Sequence, residues 1–346
     1  MKKLLFSVVA ILAISLPNLT SAQNTDYQIF QAEVIQVNEE TVLVNPDTDL
    51  TVEPQLELPT VNLKEEIRKD LEPGDRIIIE NYKTDENNNY NPIDYARNTQ
   101  IYVLFGIFIA LSILIGRKKG FFSILTLIGS FYILFNFTIA QIAAGNDPII
   151  ISIITAIIII PFGFYLTHGF KKQTTAAVFG TLISLTLTIL LASFFVEWTR
   201  LTGNSSDEVF WLTQNFADIN NLKGLLIGAI LLGMIGVLDD ISITQASIVQ
   251  ELYNSGKPHH EIYKSAMRIG RDHISSMINT LILVYASAAL PLFILLSQDL
   301  SQLNNLINIE VITEELVRML VASIGLIISV PISTWIASKM LKNSSS

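Results

Sequence analysis

The chain reads as an α-helical polytopic membrane protein with about seven transmembrane helices and a small exported β-rich domain, OB-like or a small barrel, at its N-terminus. Three observations predict this. Of 346 residues 50% are hydrophobic and only 15% are charged, less charge than a soluble domain of this length carries. Several apolar runs exceed the ~18 residues that mark a bilayer span. The charge is also unevenly placed: residues 23–98 hold 17 acidic and 6 basic residues, whereas residues 99–346 hold 14 of each. An acidic polar segment is thus joined to a neutral apolar body. A single soluble core is excluded, and no basic face is left for nucleic acid. The absence of cysteine excludes disulfides, thiol nucleophiles, iron–sulfur clusters and thiolate zinc sites.

Residues 1–22 have the pattern of a secretory signal. Lys2 and Lys3 precede an apolar stretch from Leu4 to Leu16, then Pro17, then Thr20-Ser21-Ala22 with a small residue at the cleavage position. Residues 23–98 follow as the exported domain and its linker. Strands are expected over Ile29 to Val37, Thr41 to Val44, Leu50 to Leu58 and Arg76 to Glu80, with a short helix from Val61 to Leu71 and a turn at Pro73-Gly74-Asp75. Asp85 to Pro92, with its run of three asparagines, reads as a flexible linker.

Residues 99–346 form the membrane domain, with spans expected at 99–116, 121–143, 148–167, 174–196, 222–241, 274–297 and 313–338. If the β domain is outside, alternate connections fall inside. Those connections hold eleven basic residues, including Arg117, Lys118, Lys119, Lys171 and Lys172, against three (Arg200, Lys223 and Arg318) in the outer ones. This satisfies the positive-inside rule for an odd number of spans and places the C-terminus in the cytoplasm.

The stretch from Gly224 to Pro291 carries the chemistry. Gly224, Gly228, Gly233 and Gly236 are spaced to let a helix pack backbone-close against a neighbour. Asp239 and Asp240 follow after about 15 apolar residues, roughly 22 Å of helix and short of a full hydrocarbon crossing. Asp240, Thr244, Ser247 and Glu251 then recur on one helical face. In the next helix Arg268, Asp272, Ser275 or Ser276, and Asn279 share a face, with Arg271 near the span entrance. Charged residues in a membrane cost on the order of 2.5–3.5 kcal/mol each, so they pair or line a wet path. The two stripes are expected to satisfy each other, with Asp240 against Arg271. In one reading the aspartates carry a proton or cation, and in the other they cap a span at the cytoplasmic surface.

Other chemistries fit less well. Asp239, Asp240, Glu251 and His273 lack a standard metal-ligand spacing, so neither a metal nor a cofactor is expected. His259-His260 sits in a polar turn. Leu238 stands where an intramembrane aspartyl protease would need glycine, and an enzyme is not expected.

The stretch from Gly236 through Asp239-Asp240 to Ser247, with Glu251-Leu252, the run Arg268 to His273, Asn279 to Leu283, and Leu290-Pro291, resembles the YibE/YibF-like family of bacterial multi-pass membrane proteins. Looser likeness extends through Gly116-Arg117, Lys119-Gly120-Phe121 and Gly145 to Pro148, and so covers most of the chain after residue 98. Ser287 stands where a glycine is expected after Tyr285-Ala286, and keeps a small residue. The resemblance fixes the class and leaves the activity open. Two functions follow from the residues: a permease or secondary transporter coupled through Asp239 or Asp240, with the Arg268–Asp272 stripe gating or balancing it, or a non-transporting scaffold or sensor whose exported domain binds a partner. The lipid bilayer is the expected partner. A homo-oligomer or a further membrane protein is compatible with either function, and the solute or ion is open.

Overall fold

A computed structural model describes residues 27–38, 40–47, 55–60, 63, 65–84, 87–216, 218–297 and 303–341. The signal-like residues 1–22 and the first part of the expected strand Leu50 to Leu58 lie outside these. The described residues divide into two units, with the boundary between Ile115 and Gly116.

The first unit is built on a five-stranded antiparallel sheet: β1 (Tyr27–Val37), β2 (Thr41–Pro46), β3 (Leu56–Pro59), β4 (Arg76–Thr84) and β5 (Asn87–Tyr95), in the order β3-β2-β1-β4-β5. The sheet curls until β3 approaches β5. Helix α1 (Glu65–Asp70) lies between β3 and β4. Alternation in β1 sends Phe30, Ala32 and Val34 inward. Ile35 points outward with the alternation, and a register shift between Val34 and Gln36 then breaks it, leaving Gln36 exposed where the next inward residue would fall. The inward residues meet Val42, Val44, Leu58, Ile77 and Ile79, and Leu63, Ile67 and Leu71 close one end of this core.

The expected linker at Asp85 to Pro92 is corrected here, because Asn87–Tyr95 is strand β5, paired with β4 from Thr84↔Asn87 to Ile77↔Tyr95. Backbone hydrogen bonds make an edge strand whatever its side chains. A polar Asn run with Pro92 on the edge therefore hides one from a hydrophobic pattern. Tyr90, edge-on to Phe30, buried Pro92 and Tyr95, which packs on the core and donates to the Ile67 carbonyl at 3.3 Å, tie it to the core.

The second unit is helical. Helix α2 (Asn98–Ile133) begins in the first unit, crosses the boundary, and leads through a π-helical turn (Leu134–Ile139) into α3 (Ala140–Ala143). Then come α4 (Pro148–His168), α5 (Lys172–Trp198), α6 (Asp207–Asn215), α7 (Leu222–Asn254), α8 (His259–Ala288), α9 (Leu290–Ser297), α10 (Leu303–Leu306) and α11 (Glu310–Leu341). Helix α4 starts where its sequence says it should: Pro148 takes the first turn, and the Asp147 side chain accepts from the Ile149 and Ile150 N–H groups at 2.9 and 3.0 Å. Helix α7 is central, touching α4, α5, α8 and α11, while α11 also lies along α5 and α8.

Among the described residues five helices are long and apolar enough to cross a membrane: Asn98–Ala143, Pro148–His168, Lys172–Trp198, Leu222–Asn254 and Glu310–Leu341. The difference from the seven expected spans has two causes. The first two expected spans form one helical run, broken at Arg117, whose φ of 51° and ψ of −132° depart from helix. Each side of that break, at 1.5 Å per residue, is still roughly a bilayer long. The expected span 274–297 is divided between α8 and α9 at Ala289, just before Leu290-Pro291, and α8 begins with a strongly polar half.

The core of the first unit is continuous and its own. We expect residues 23–98 expressed alone to be soluble and to give a β-type far-ultraviolet spectrum with a cooperative melt. Ile77→Ala, at a fully buried position, should cost about 2–5 kcal/mol in that melt; a disordered spectrum for the parent sequence would refute an independent fold.

Candidate functional site

The polar residues of α7 fall on different sides of one helix, and each side has a different neighbour. Ser242 is fully buried and shares a hydrogen bond of 2.9 Å with Ser333 of α11. A methyl group on Gly180 of α5 would lie 2.6 Å from the same Ser333 Oγ, so three helices meet at hydroxyl and glycine. One turn on, fully buried Gln245 accepts from Thr334 Oγ1 at 2.9 Å, and its amide faces Gly270 of α8, where an added methyl would lie 3.0 Å from Nε2. Small and hydroxyl residues thus set the separation of α5, α7, α8 and α11, as expected where lipid supplies no hydrophobic contrast.

Asp239 looks the other way, toward α4. A methyl on Gly163 would lie 3.8 Å from Asp239 Oδ2 and 3.1 Å from Thr126 Cγ2 of α2. Glycine in α4 therefore makes the recess in which α7 lays a carboxyl group beside α2. Asp239 Oδ1 is buried and has no hydrogen-bond partner. Gly163 precedes the His168 end of α4 by five residues, roughly 7 Å of axis, so the carboxyl lies inside the bundle and not at a helix tip. Thr126 and Thr167 join α2 to α4 at 3.2 Å on the side of that end.

The remaining expected residues spread out. Asp240 is exposed, Thr244 is half-buried, and Ser247 receives a 2.5 Å hydrogen bond from Gln173 of α5. Glu251, Arg268, Arg271, Asp272 and Asn279 are exposed. The expected meeting of the two stripes does not occur: among the described residues no ion pair or hydrogen bond joins Asp240 or Glu251 to Arg268 or Arg271. The reason lies in α8, which turns a different stripe, Ile262, Ala266 and Gly270, into the core and so points its charges away from α7. Of the four glycines, Gly228 fits the packing expectation best, with an added methyl 2.6 Å from Ser152 Oγ and 3.2 Å from the Pro148 carbonyl oxygen of α4. Gly224 abuts its own N-cap Asn221, Gly233 faces the Tyr285 hydroxyl, and Gly236 has nothing within 4 Å.

Sequence reasoning missed a second polar cluster at the far end of α11. Glu310 Oε1 accepts from the Thr202 backbone N–H, from Thr202 Oγ1 at 2.7 Å and from the Gly203 N–H at 3.2 Å. Glu314 accepts from Ser205 at 2.7 Å, and Arg318 bridges Glu315 at 3.1 Å. The signal was present as Glu314-Glu315 and Arg318 inside an apolar helix. This cluster straps the connection after α5 to α11.

The YibE/F-like family matches residues 104–343, which takes in the helices from Gly116 onward and both aspartates. The chain belongs to the YibE/F-like family. No curated protein and no solved structure matches it. The YibE/F-like match covers Gly163, Asp239 and Gln245 alike, so the recess and the hydroxyl seam both lie in the family's part of the chain.

The glycine contacts separate two outcomes in this YibE/F-like protein. Gly228→Ala must push Ser152 or the Pro148 carbonyl aside and should lower the melting temperature in detergent, by a cost of about 1–3 kcal/mol. Gly236→Ala meets open space and should leave folded yield and melting of the single chain unchanged or slightly raised. Equal losses for both would refute the packing assigned to Gly228.

Proposed function

We propose that this YibE/F-like protein is a permease or secondary transporter of the bacterial plasma membrane, coupled to a proton or cation through Asp239. The observation that supports this is the Asp239 carboxyl group, recessed against Gly163 between three helices with one buried oxygen lacking a partner. A carboxylate in such surroundings is costly unless it takes up a proton or another cation, and reversible uptake is what coupling requires. Asp240, exposed on the next face, has no such surroundings. In this reading the β unit is an exported OB-like module, the C-terminus is cytoplasmic, and no cofactor or catalytic residue takes part.

A second reading, a sensor or scaffold, is favoured by a cavity of ≈ 440 Å³ in the first unit, lined by Asp75, Arg76, Tyr95, Arg97, Gln100 and Leu104 among others. Burial, then the Asp75 and Asp70 carboxylates, push the Tyr95 phenol above its ordinary range. That mixture of arginines, carboxylates and apolar helix suits a polar partner outside the membrane.

Flux distinguishes the two. Purified protein in liposomes carrying an internal pH dye should pass protons down an imposed gradient. Asp239→Asn should reduce that flux at least tenfold, and Asp240→Asn should reduce it much less. Wild-type vesicles indistinguishable from empty ones under proton, sodium and potassium gradients would reject transport and leave the sensor reading. Orientation is checked separately. The chain has no native cysteine, so a cysteine introduced at Asn204 should react with an impermeant maleimide on intact cells and one at His260 should not. Labelling at His260 would overturn the cytoplasmic assignment.

A further inference from the structure

Helix α8 presents a polar face that the chain itself leaves uncovered. Ile262, Ala266, Gly270 and Leu281 are buried. The opposite side carries Arg268, Arg271, Asp272, Ser275, Ser276 and Asn279, all exposed. Contacts fix the depth of this face. An added methyl on Gly270 would touch Val330 of α11 and Gln245 of α7, and one on Gly233 of α7 would lie 3.3 Å from the Tyr285 hydroxyl. Helix α8 therefore runs antiparallel to α7, and its residues 270–285 lie beside Gly233 to Gln245. Ser275, Ser276 and Asn279 are thus held at the depth of the apolar part of α7 while facing away from the bundle. Hydrocarbon cannot satisfy them.

Beside this face α7 has an uncovered side of its own. Gly233, Gly236, Asp240 and Glu251 are exposed along it. The two sides complement each other in charge: α7 carries Asp240 and Glu251, and α8 carries two arginines, Arg268 and Arg271, against one acid, Asp272, with neither arginine and neither α7 acid in an ion pair among the described residues. Arg271 lies about one helical turn from the depth of Asp240, within reach of a long arginine side chain.

We propose that two copies of this chain associate about a two-fold axis along the membrane normal, the uncovered side of α7 in each copy receiving the polar face of α8 from the other. Such an axis preserves depth, so Asp240 of one copy meets Arg271 of the second and the reverse contact forms at the same time, as an isologous interface requires. Gly236 gives the facing helix room to approach, and the polar side chains of α8 leave the lipid. The charge complementarity that fails within one chain is completed between two. This inference stands whether or not the protein transports.

Charge exchange tests it. Differently tagged wild-type copies should co-isolate from mild detergent. Asp240→Arg alone and Arg271→Asp alone each place like charges across the interface and should cut co-isolation of like copies at least tenfold. Co-expressed, the two single variants should co-isolate again, because their mixed pair restores opposite charge at both contacts. A contact within one chain would instead be rescued only by the double variant in a single polypeptide, and that pattern overturns the proposal. A gentler arm uses the cysteine-free background: Gly236→Cys in one copy and Asn279→Cys in the other should form a disulfide-linked pair in isolated membranes treated with a thiol oxidant such as copper phenanthroline. A single chain in lipid nanodiscs by photobleaching of a fluorescent tag, or cross-linking only to a different polypeptide, would also overturn it.

Discussion

The close approach of α7 to its neighbours is the constraint on which the membrane unit depends. Water-driven burial cannot hold helices together in lipid, so association rests on contact and on hydrogen bonds between side chains. Here each contact is made by removing a side chain on one helix and placing a hydroxyl, amide or carboxyl on the other. Gly228 admits Ser152, Gly180 admits Ser333, Gly325 admits Thr188, Gly270 admits Gln245, and Gly163 makes room for Asp239. The first four knit α4, α5, α7, α8 and α11 into one bundle. The fifth uses the same device but brings in an ionisable carboxyl where the others bring neutral hydroxyls and an amide, and its Oδ1 lacks a partner; that ionisable group separates a packing contact from a candidate site.

The strapped end of the bundle follows from that arrangement. With α5 and α11 locked side by side at Gly180–Ser333 and Thr188–Gly325, the connection leaving α5 emerges beside the first turn of α11. Glu310 then gathers the N–H groups of Thr202 and Gly203, donors that a turn near a membrane would otherwise leave to water. Gly203, with φ of 77° and an added methyl 2.5 Å from the Leu222 carbonyl oxygen, lets the turn pass under the start of α7. The connection after α5 is thereby tied to α11 through Glu310 and to the start of α7 through Gly203.

Much of this was legible in the sequence, and the limits have physical causes. Apolar length placed the expected span 148–167 on α4 (Pro148–His168), because a continuous apolar run needs no tertiary partner to be read. The strands with alternating hydrophobes were found, but β5 was not, since an edge strand made of asparagines is held by its backbone. Periodicity identified which residues of α8 share a face, yet could not say which face meets the bundle: the stripe of Ile262, Ala266 and Gly270 has the same period as the charged one, and burial chose the former. Asp239 was singled out as an acid in a short apolar run, while its recess was invisible because Gly163 is far away in sequence and announces nothing by itself.

Asp239 and Asp240 are adjacent in the chain but separated by about 100° around the helix axis, and this rotation gives them different surroundings. One faces Gly163 and Thr126, where water is displaced and a carboxyl oxygen lacks a partner. The other faces outward, on the side of Gly236. The pair of like charges expected from sequence is therefore not a single doubled site. A helix that must supply both a recessed acid and an outward one at the same depth can do so with two consecutive residues, provided that one neighbouring helix offers a glycine and the adjoining side of the helix is left open. In this bundle α4 supplies the glycine, and the side of α7 that carries Gly236 remains open.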